Sequence, residues 1–312
     1  MQLIFIVMLG AALGFMYGAN TDGFIFSQKI CLFAGITLIM PSLFHFEMRD
    51  IKLVWVHKIV LLKGFLVNYI LLPFFALLIG FMTGDFGIVS GLLLIALLGG
   101  GGMVMHWIKK SKADTSLGFL LLFINLLLIS LSLWMLHIFA MYAAPYFDIS
   151  YESDISISRF TQAVITLLIV IPFILSRIII FIKPLVAVID KYRKYISHLS
   201  IFIILFYLFG LQSSQLLVEV YDFEPELIPI SFVAVFVFYL CVYFVSKWIF
   251  DLNSPQERAV FWHSVTRYLT LALVISTFSA TTFGVSMLLP IMFAYVVQIP
   301  WAIYISRKVM TD

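Results

Sequence analysis

The sequence predicts an all-α polytopic membrane protein: ten transmembrane helices in two inverted five-helix repeats, with the fourth helix broken. Three observations carry that prediction. Of the 312 residues, 63% are hydrophobic and 11% are charged, against about 25% charged in ordinary soluble domains. Apolar stretches recur along the whole chain, and one of about 20 residues suffices to cross the hydrocarbon core. The connections between these stretches alternate between basic and acidic. The net charge of +3 is spread among loops, which points to no nucleic-acid surface. Cys31 and Cys241 each sit inside an apolar segment with no CxxC neighbour, so neither a disulfide framework nor a metal site is expected.

The segments follow in order. The first, 2–18, has no basic region before its apolar run and reads as a retained helix rather than a cleaved signal. The second (28–46) contains Pro41, and the third (59–82) contains Pro73 and the polar Asn68. The fourth (87–109) carries four consecutive glycines, Gly99 to Gly102, and the fifth (116–141) carries Ser116 and Asn125. The longest polar connection, 148–159, separates a first repeat (1–147) from a second (160–312). The second repeat holds segments at 160–182 with Pro172, 196–214, 226–249, 257–279, and 283–306 with Pro290 and Pro300. Each proline is expected to kink its run, because it lacks a donor and crowds the preceding turn. Trp55, Trp107, Trp248 and Trp301 lie near segment ends and read as interfacial anchors.

Loop charge sets the direction. Arg49, Lys52 and Lys58 follow the second segment, Lys109, Lys110 and Lys112 the fourth, and Lys183, Lys191, Arg193 and Lys194 the sixth. Lys247 and Arg258 follow the eighth, and Arg307 and Lys308 the tenth. The alternate connections carry Asp22, Asp85, Asp148, Glu152, Asp154 and Glu219 to Glu226. Positive loops stay cytoplasmic, so both termini are expected inside, in a bacterial inner membrane. Five helices per half make the second half run opposite to the first, the arrangement of many transporters.

Two features of this layout carry chemistry. Four glycines at about 1 kcal/mol each against alanine should break a helix. Irregular backbone at membrane depth survives only where it is buried in protein or lines a wet cavity. The alternative is a close helix-packing face, which usually spaces small residues three or four apart. The matching ninth segment contains His263, Thr266, Arg267 and Thr270. Arg267 lies ten residues past Glu257, about 15 Å deep, where a charge is expensive and is a functional-site candidate by default. His263 and Arg267, four apart, are expected to share a helix face. Asn68 and Asn125 either line the cavity or bond between helices.

The chain resembles the bile acid:sodium symporter superfamily, which includes symporters of organic anions and arsenite-efflux carriers. The resemblance rests on Gly99 to Gly102 followed by Met103-Val-Met-His-Trp107, on Gly64-Phe-Leu-Val-Asn-Tyr-Ile-Leu-Leu-Pro73 and on Ile169-Val-Ile-Pro172. It rests also on Leu289-Pro290, Gln298-Ile-Pro300 and Ile39-Met-Pro-Ser42. It implies a panel domain (helices 1, 2, 6 and 7) and a core domain (helices 3–5 and 8–10). In the core, helices 4 and 9 unwind where they cross beside the substrate. Aligned on the sodium-coupled members, Gly102 and Met103 replace a Ser-Asn pair, Ser116 and Leu120 stand for fifth-helix hydroxyls, and His263 and Arg267 replace a Glu and a Gln. Only Ser116 keeps an oxygen, so sodium is not expected at the family's usual sites, and a guanidinium could stand where the ion is missing. The arsenite carriers' cysteine at the break is absent.

The expected function is therefore secondary active transport of a small organic anion in the lipid membrane, by alternating access and with no cofactor. Gly100, Gly101, Gly102 and Met103 would offer backbone N–H groups to the anion. Arg267 would add a bidentate fork, with Thr266, Thr270, Asn68 and Asn125 around it. His263 titrates near physiological pH and is the candidate proton carrier, with Ser116 a second ion-coupling candidate. The alternatives are a metalloid (arsenite-type) efflux carrier and a non-transporting membrane sensor on a degenerate carrier fold. Clustered intramembrane carboxylates, a metal-ligand pattern and a serine–histidine motif in context are all missing from the sequence, so an enzyme is not expected.

Overall fold

The computed structural model describes residues 2–24, 27, 29–44, 52–101, 103–149, 166–210 and 225–309. All named elements among them are helical. The chain divides into two compact units, Met1–His45 with Asp154–Phe223, and Phe46–Ser153 with Glu224–Asp312.

In the first unit, α1 (Gln2–Asn20) precedes α2 (Lys29–Ala34) and α3 (Met40–Leu43). The return half supplies α11 (Ile171–Ile179) and α12 (Lys183–Phe209). The main packing is α1 on α12. A side chain at Gly14 would place its Cβ 2.4 Å from the Phe206 carbonyl oxygen, so only glycine lets these backbones approach so closely. The basic stretch Lys183 to Lys194 was expected in a connection. It forms instead the first turns of α12, with Pro184 at the start, where a proline's missing N–H leaves no bond unmade. That stretch bends 119° from α11.

The second unit contains α4 (Leu53–Val56), α5 (Lys58–Leu66), α6 (Leu72–Phe81), α7 (Phe86–Leu97), α8 (Val104–Lys110), α9 (Thr115–Leu127) and α10 (Ile129–Ala143). Its second half adds α13 (Leu227–Ile249), α14 (Pro255–Val265), α15 (Leu269–Phe283) and α16 (Leu288–Val309). Every residue of α7 is buried. A helix apolar all round has to be, and α6, α15 and α16 pack around it. Asp85 starts α7 by accepting from the Ile88 amide at 2.7 Å, and Asp114 starts α9 by accepting from Leu117 at 2.9 Å. Trp107 is not an interfacial anchor. It is buried and stacks on Trp262 with ring centroids 5.5 Å apart.

Three of the prolines act in one way. Pro41, Pro73 and Pro172 each stand two residues after a π-helical turn, Gly35–Ile39, Val67–Leu71 and Thr166–Val170 respectively. A proline ring collides with the carbonyl four residues back. A widened turn moves that carbonyl aside: the Met40 and Leu72 amides reach back five residues, to Gly35 and Val67. The expected kinks are thus absorbed as wide turns, and the Val67–Leu71 turn carries Asn68.

Four described helices are individually long and apolar enough to span a membrane: Lys58–Phe81, Ile129–Phe147, Leu227–Ile249 and Leu288–Arg307. The bent pair Ile171–Ile179 with Lys183–Arg193 brings the number to five. Helix lengths alone do not give the ten expected crossings. The fourth, fifth and ninth segments are each interrupted, and the second, sixth and seventh run into residues outside the described set.

Candidate functional site

The site lies within the second unit, where two interruptions meet. Helix α7 stops at Leu97, and Leu98 leaves the helical region at φ −97°, ψ 81°. Gly100 sits at φ +62°, where a side chain is strained and glycine is not. A Cβ there would lie 2.0 Å from His263 Nδ1. Helix α14 stops at Val265, and Thr266 is extended at φ −100°, ψ 125°. His263 and Arg267 therefore do not share a helix face, because the helix ends between them; for the same reason Thr266 and Thr270 belong to different elements.

The two unwound stretches cross as a short antiparallel bridge centred on Gly99 and Arg267. The Gly100 amide donates to the Thr266 carbonyl at 2.8 Å, and the Tyr268 amide to Leu98 at 2.9 Å. Gly100 also donates to the His263 carbonyl at 3.0 Å. In such a bridge the central residues point their own N–H and C=O outward. Side chains take them on both sides. Gln298 of α16 accepts from the Arg267 amide at 2.6 Å and donates to its carbonyl at 3.2 Å, while Tyr239 of α13 donates to Gln298 Oε1 at 2.7 Å. Asn125 of α9 donates to the Gly99 carbonyl at 3.2 Å. The crossing thus has a local two-fold pattern, with an amide side chain clamping each outer edge.

This exchange of partners leaves two carbonyls without their helical donors. In an unbroken helix Ala96 would accept from Gly100 and Ser264 from Tyr268. Both amides are diverted into the bridge, and the Arg267 guanidinium replaces them. Its Nη1 donates to Ala96 O at 3.0 Å, and its Nη2 donates to Ser264 O and to Asn68 Oδ1, the latter at 2.8 Å. Arg267 is 1% exposed. Among the described residues no carboxylate pairs with it, and its buried Nε has no partner. The charge neither reaches the surface nor finds an acid. It sits on three neutral oxygens, two at the C-terminal ends of half-helices and one from the Asn68 side chain.

The state of His263 follows from its bonds. Gly118 O, 3.0 Å from Nε2, can only accept, so Nε2 carries the hydrogen. The Gly99 carbonyl fixes the Asn125 amide nitrogen toward the crossing, and that nitrogen lies 3.3 Å from Nδ1. Nδ1 therefore accepts, and the imidazole is neutral. His263 is fully buried.

The other candidates are placed as follows. Thr266 donates its hydroxyl to Trp262 O at 2.6 Å, and Thr270 accepts from Tyr295 at 3.1 Å. Gly101 is buried and Met103 half-buried. Neither amide has a hydrogen-bond partner among the described residues. Gly102 lies outside the described residues. Ser116 is exposed in the first turn of α9, with no bond to the crossing. Gln298 and Tyr239 were missed as site residues. A glutamine within the apolar tenth segment was the available signal. No grouping of three His, Cys, Asp or Glu suited to a metal ion occurs among the described residues. The oxygens suited to a cation are taken by the guanidinium.

Among curated proteins none matches the chain. The family model described as Sodium Bile acid symporter family matches residues 31–220, more than half of the sequence and including the glycine run. With an all-helical apolar fold and two interrupted helices crossing at Gly99 and Arg267, the chain belongs to the Sodium Bile acid symporter family, a family of membrane transporters.

Proposed function

We propose that the protein is a secondary active transporter of a small organic anion, working by alternating access without sodium at the usual sites of its family. The observation that carries this reading is the crossing itself. Two helix breaks at a fully buried position, their edges clamped by Asn125 and Gln298, form the kind of discontinuity that carriers build at substrate sites. The unpartnered Gly101 and Met103 amides and the buried Arg267 Nε favour an anion over a cation. The division into two units supports assigning the first to the panel and the second to the core. The matched amide clamps from α9 and α16 support the inverted repeat.

Arg267 acts in this reading by its field and by Nε, since its Nη groups are held by the protein. Proton coupling would run through His263 and Asn125. An imidazolium needs an acceptor at Nδ1, so protonation requires the Asn125 amide to turn its oxygen inward. That turn releases the Gly99 carbonyl, so a proton at His263 loosens one clamp of the crossing.

Proteoliposomes loaded in turn with a monocarboxylate, a dicarboxylate and a conjugated steroid sulfonate test the reading by counterflow. The expected result is saturable exchange of at least one anion, unchanged when sodium is replaced by N-methylglucammonium, and lost in Arg267→Ala. Unchanged exchange in that variant removes Arg267 from the site. Ligand-induced thermal stabilisation without counterflow points instead to a sensor.

A further inference from the structure

We propose that the bend between α11 and α12 is a docking surface for anionic phospholipid, with phosphate headgroups held by Lys183 and Lys191 and acyl chains lying along an apolar stripe of α12. The stripe consists of Leu185, Val188, Tyr192, Tyr195 and Leu199, each 40–71% exposed. Their spacing alternates between three and four residues, which puts them on one face of the helix. The opposite face is buried: it carries Ser200, Ile201, Ile204 and Leu205, and α1 packs on the helix there.

Length sets the depth of this face. The 27 residues of α12 rise about 40 Å, whereas the hydrocarbon core is about 30 Å thick and takes about 20 residues. Counted back from Phe209, the boundary falls near Asp190, and the turns before it reach the headgroup layer. Basic residues collect at that end. Lys183, Lys191, Arg193 and Lys194 all stand before Tyr195, and from Tyr195 to Phe209 the sequence has none of Asp, Glu, Lys or Arg. The first turn contains no acidic residue, so the cations occupy the half of the helix where its dipole disfavours them. Asp190 answers Arg193, but Lys183 and Lys191 are exposed and make no ion pair among the described residues. The Lys191 ammonium lies over the Tyr192 ring, 5.5 Å from its centre, which joins the charge to the stripe. Tyrosine rings settle at headgroup level, and clustered lysines beside an apolar face attract anionic lipid. A two-fold pairing through this patch would set the lysines of one copy against those of the other, so like charge disfavours a second copy as the occupant.

Thermal unfolding of the purified full chain in neutral detergent tests the surface, titrated with dioctanoyl phosphatidylglycerol, dioctanoyl phosphatidylcholine or inorganic phosphate. The phosphatidylglycerol should stabilise the wild type at concentrations where the other two have no effect. Lys183→Gln combined with Lys191→Gln should need roughly 30-fold more phosphatidylglycerol for the same shift, about fivefold for each lysine lost. Lys183→Arg with Lys191→Arg should respond like the wild type, and so should Lys247→Gln, which removes an exposed lysine from the end of α13. Equal shifts from the two lipids overturn the proposal, as does a glutamine pair that keeps the wild-type response. Inorganic phosphate acting as well as phosphatidylglycerol also overturns it, because the stripe would then play no part. A concentration-dependent dimer that Leu185→Ser with Val188→Ser abolishes gives the face to a second copy and overturns it too. Where the glutamine pair does not fold, screening decides. At about 0.5 M sodium chloride the wild-type response should fall severalfold, and an undiminished response overturns the proposal.

Discussion

Replacing Gly100 by alanine should disable the crossing, and Gly84→Ala supplies its internal control. Both glycines have left-handed backbone, φ +62° at Gly100 and +71° at Gly84. Each alanine therefore carries a backbone penalty of about 1–2 kcal/mol. Their surroundings differ. A Cβ at Gly84 meets nothing within 4 Å, whereas one at Gly100 falls 2.0 Å from His263 Nδ1. The imidazole must move by more than ~1 Å to reach ordinary contact, and in moving it gives up Gly118 O and Asn125. Two neutral hydrogen bonds at ~1 kcal/mol each, with a buried Gly118 carbonyl left unpaired, make the difference between the variants about 2–4 kcal/mol. At roughly 2–4 °C per kcal/mol, Gly100→Ala should unfold about 5–15 °C below Gly84→Ala in detergent and show no counterflow. A Gly100→Ala protein melting within ~2 °C of the control would mean that His263 is not packed against the turn, and the bridge geometry would be wrong.

Other substitutions separate the remaining contributions. Gly99→Ala should change stability by less than ~1 kcal/mol, since its Cβ would meet Asn68 at an ordinary 3.4 Å and its φ is not positive; equal damage from Gly99→Ala and Gly100→Ala would refute this. Gln298→Leu strips both outward groups of Arg267 of their partners and should lower stability by about 2–4 kcal/mol in chemical unfolding. Asp85→Ala and Asp114→Ala each remove a helix cap and should cost about 1 kcal/mol without altering exchange kinetics. His263→Gln should abolish uptake driven by a pH gradient while sparing counterflow; gradient-driven uptake that persists removes His263 from coupling.

Element type and the break at the glycine run were legible because they depend on local composition, whereas the break after Val265 was implied only by the resemblance. Four glycines cannot sustain a helix, and a long apolar run has few options in lipid. The consequences of the prolines were less legible. Sequence predicts a kink at Pro41, Pro73 and Pro172, but whether the chain bends or widens depends on how tightly its neighbours pack. The state of Arg267 was hidden for a different reason. Depth and charge marked it as exceptional, yet its partners are backbone oxygens of Ala96 and Ser264, which have no sequence signature. Those oxygens become available only through a partner exchange between stretches some 170 residues apart. Gln298 and Tyr239 escaped similarly, as polar residues in apolar helices with nothing to show which backbone group they face.

The near-symmetry of the crossing explains why it contains one arginine and not two. Leu98, Gly99 and Gly100 stand opposite Thr266, Arg267 and Tyr268, with one amide diverted from each stretch; Gln298 holds both outward groups of Arg267, and Asn125 holds the outward carbonyl of Gly99. A symmetric solution would put a cation at both centres. Two converging half-helix ends supply only about one unit of negative charge between them. A second guanidinium would bury an uncompensated positive charge, a penalty of several kcal/mol. A small residue at position 99 leaves the space on its own side of the bridge to Asn68, whose carbonyl oxygen completes the set around the guanidinium. On the opposite side, the half-helices leaving the crossing begin with positive ends that no acidic side chain neutralises among the described residues. The crossing is thus balanced where α7 and α14 end and electropositive where α8 and α15 begin.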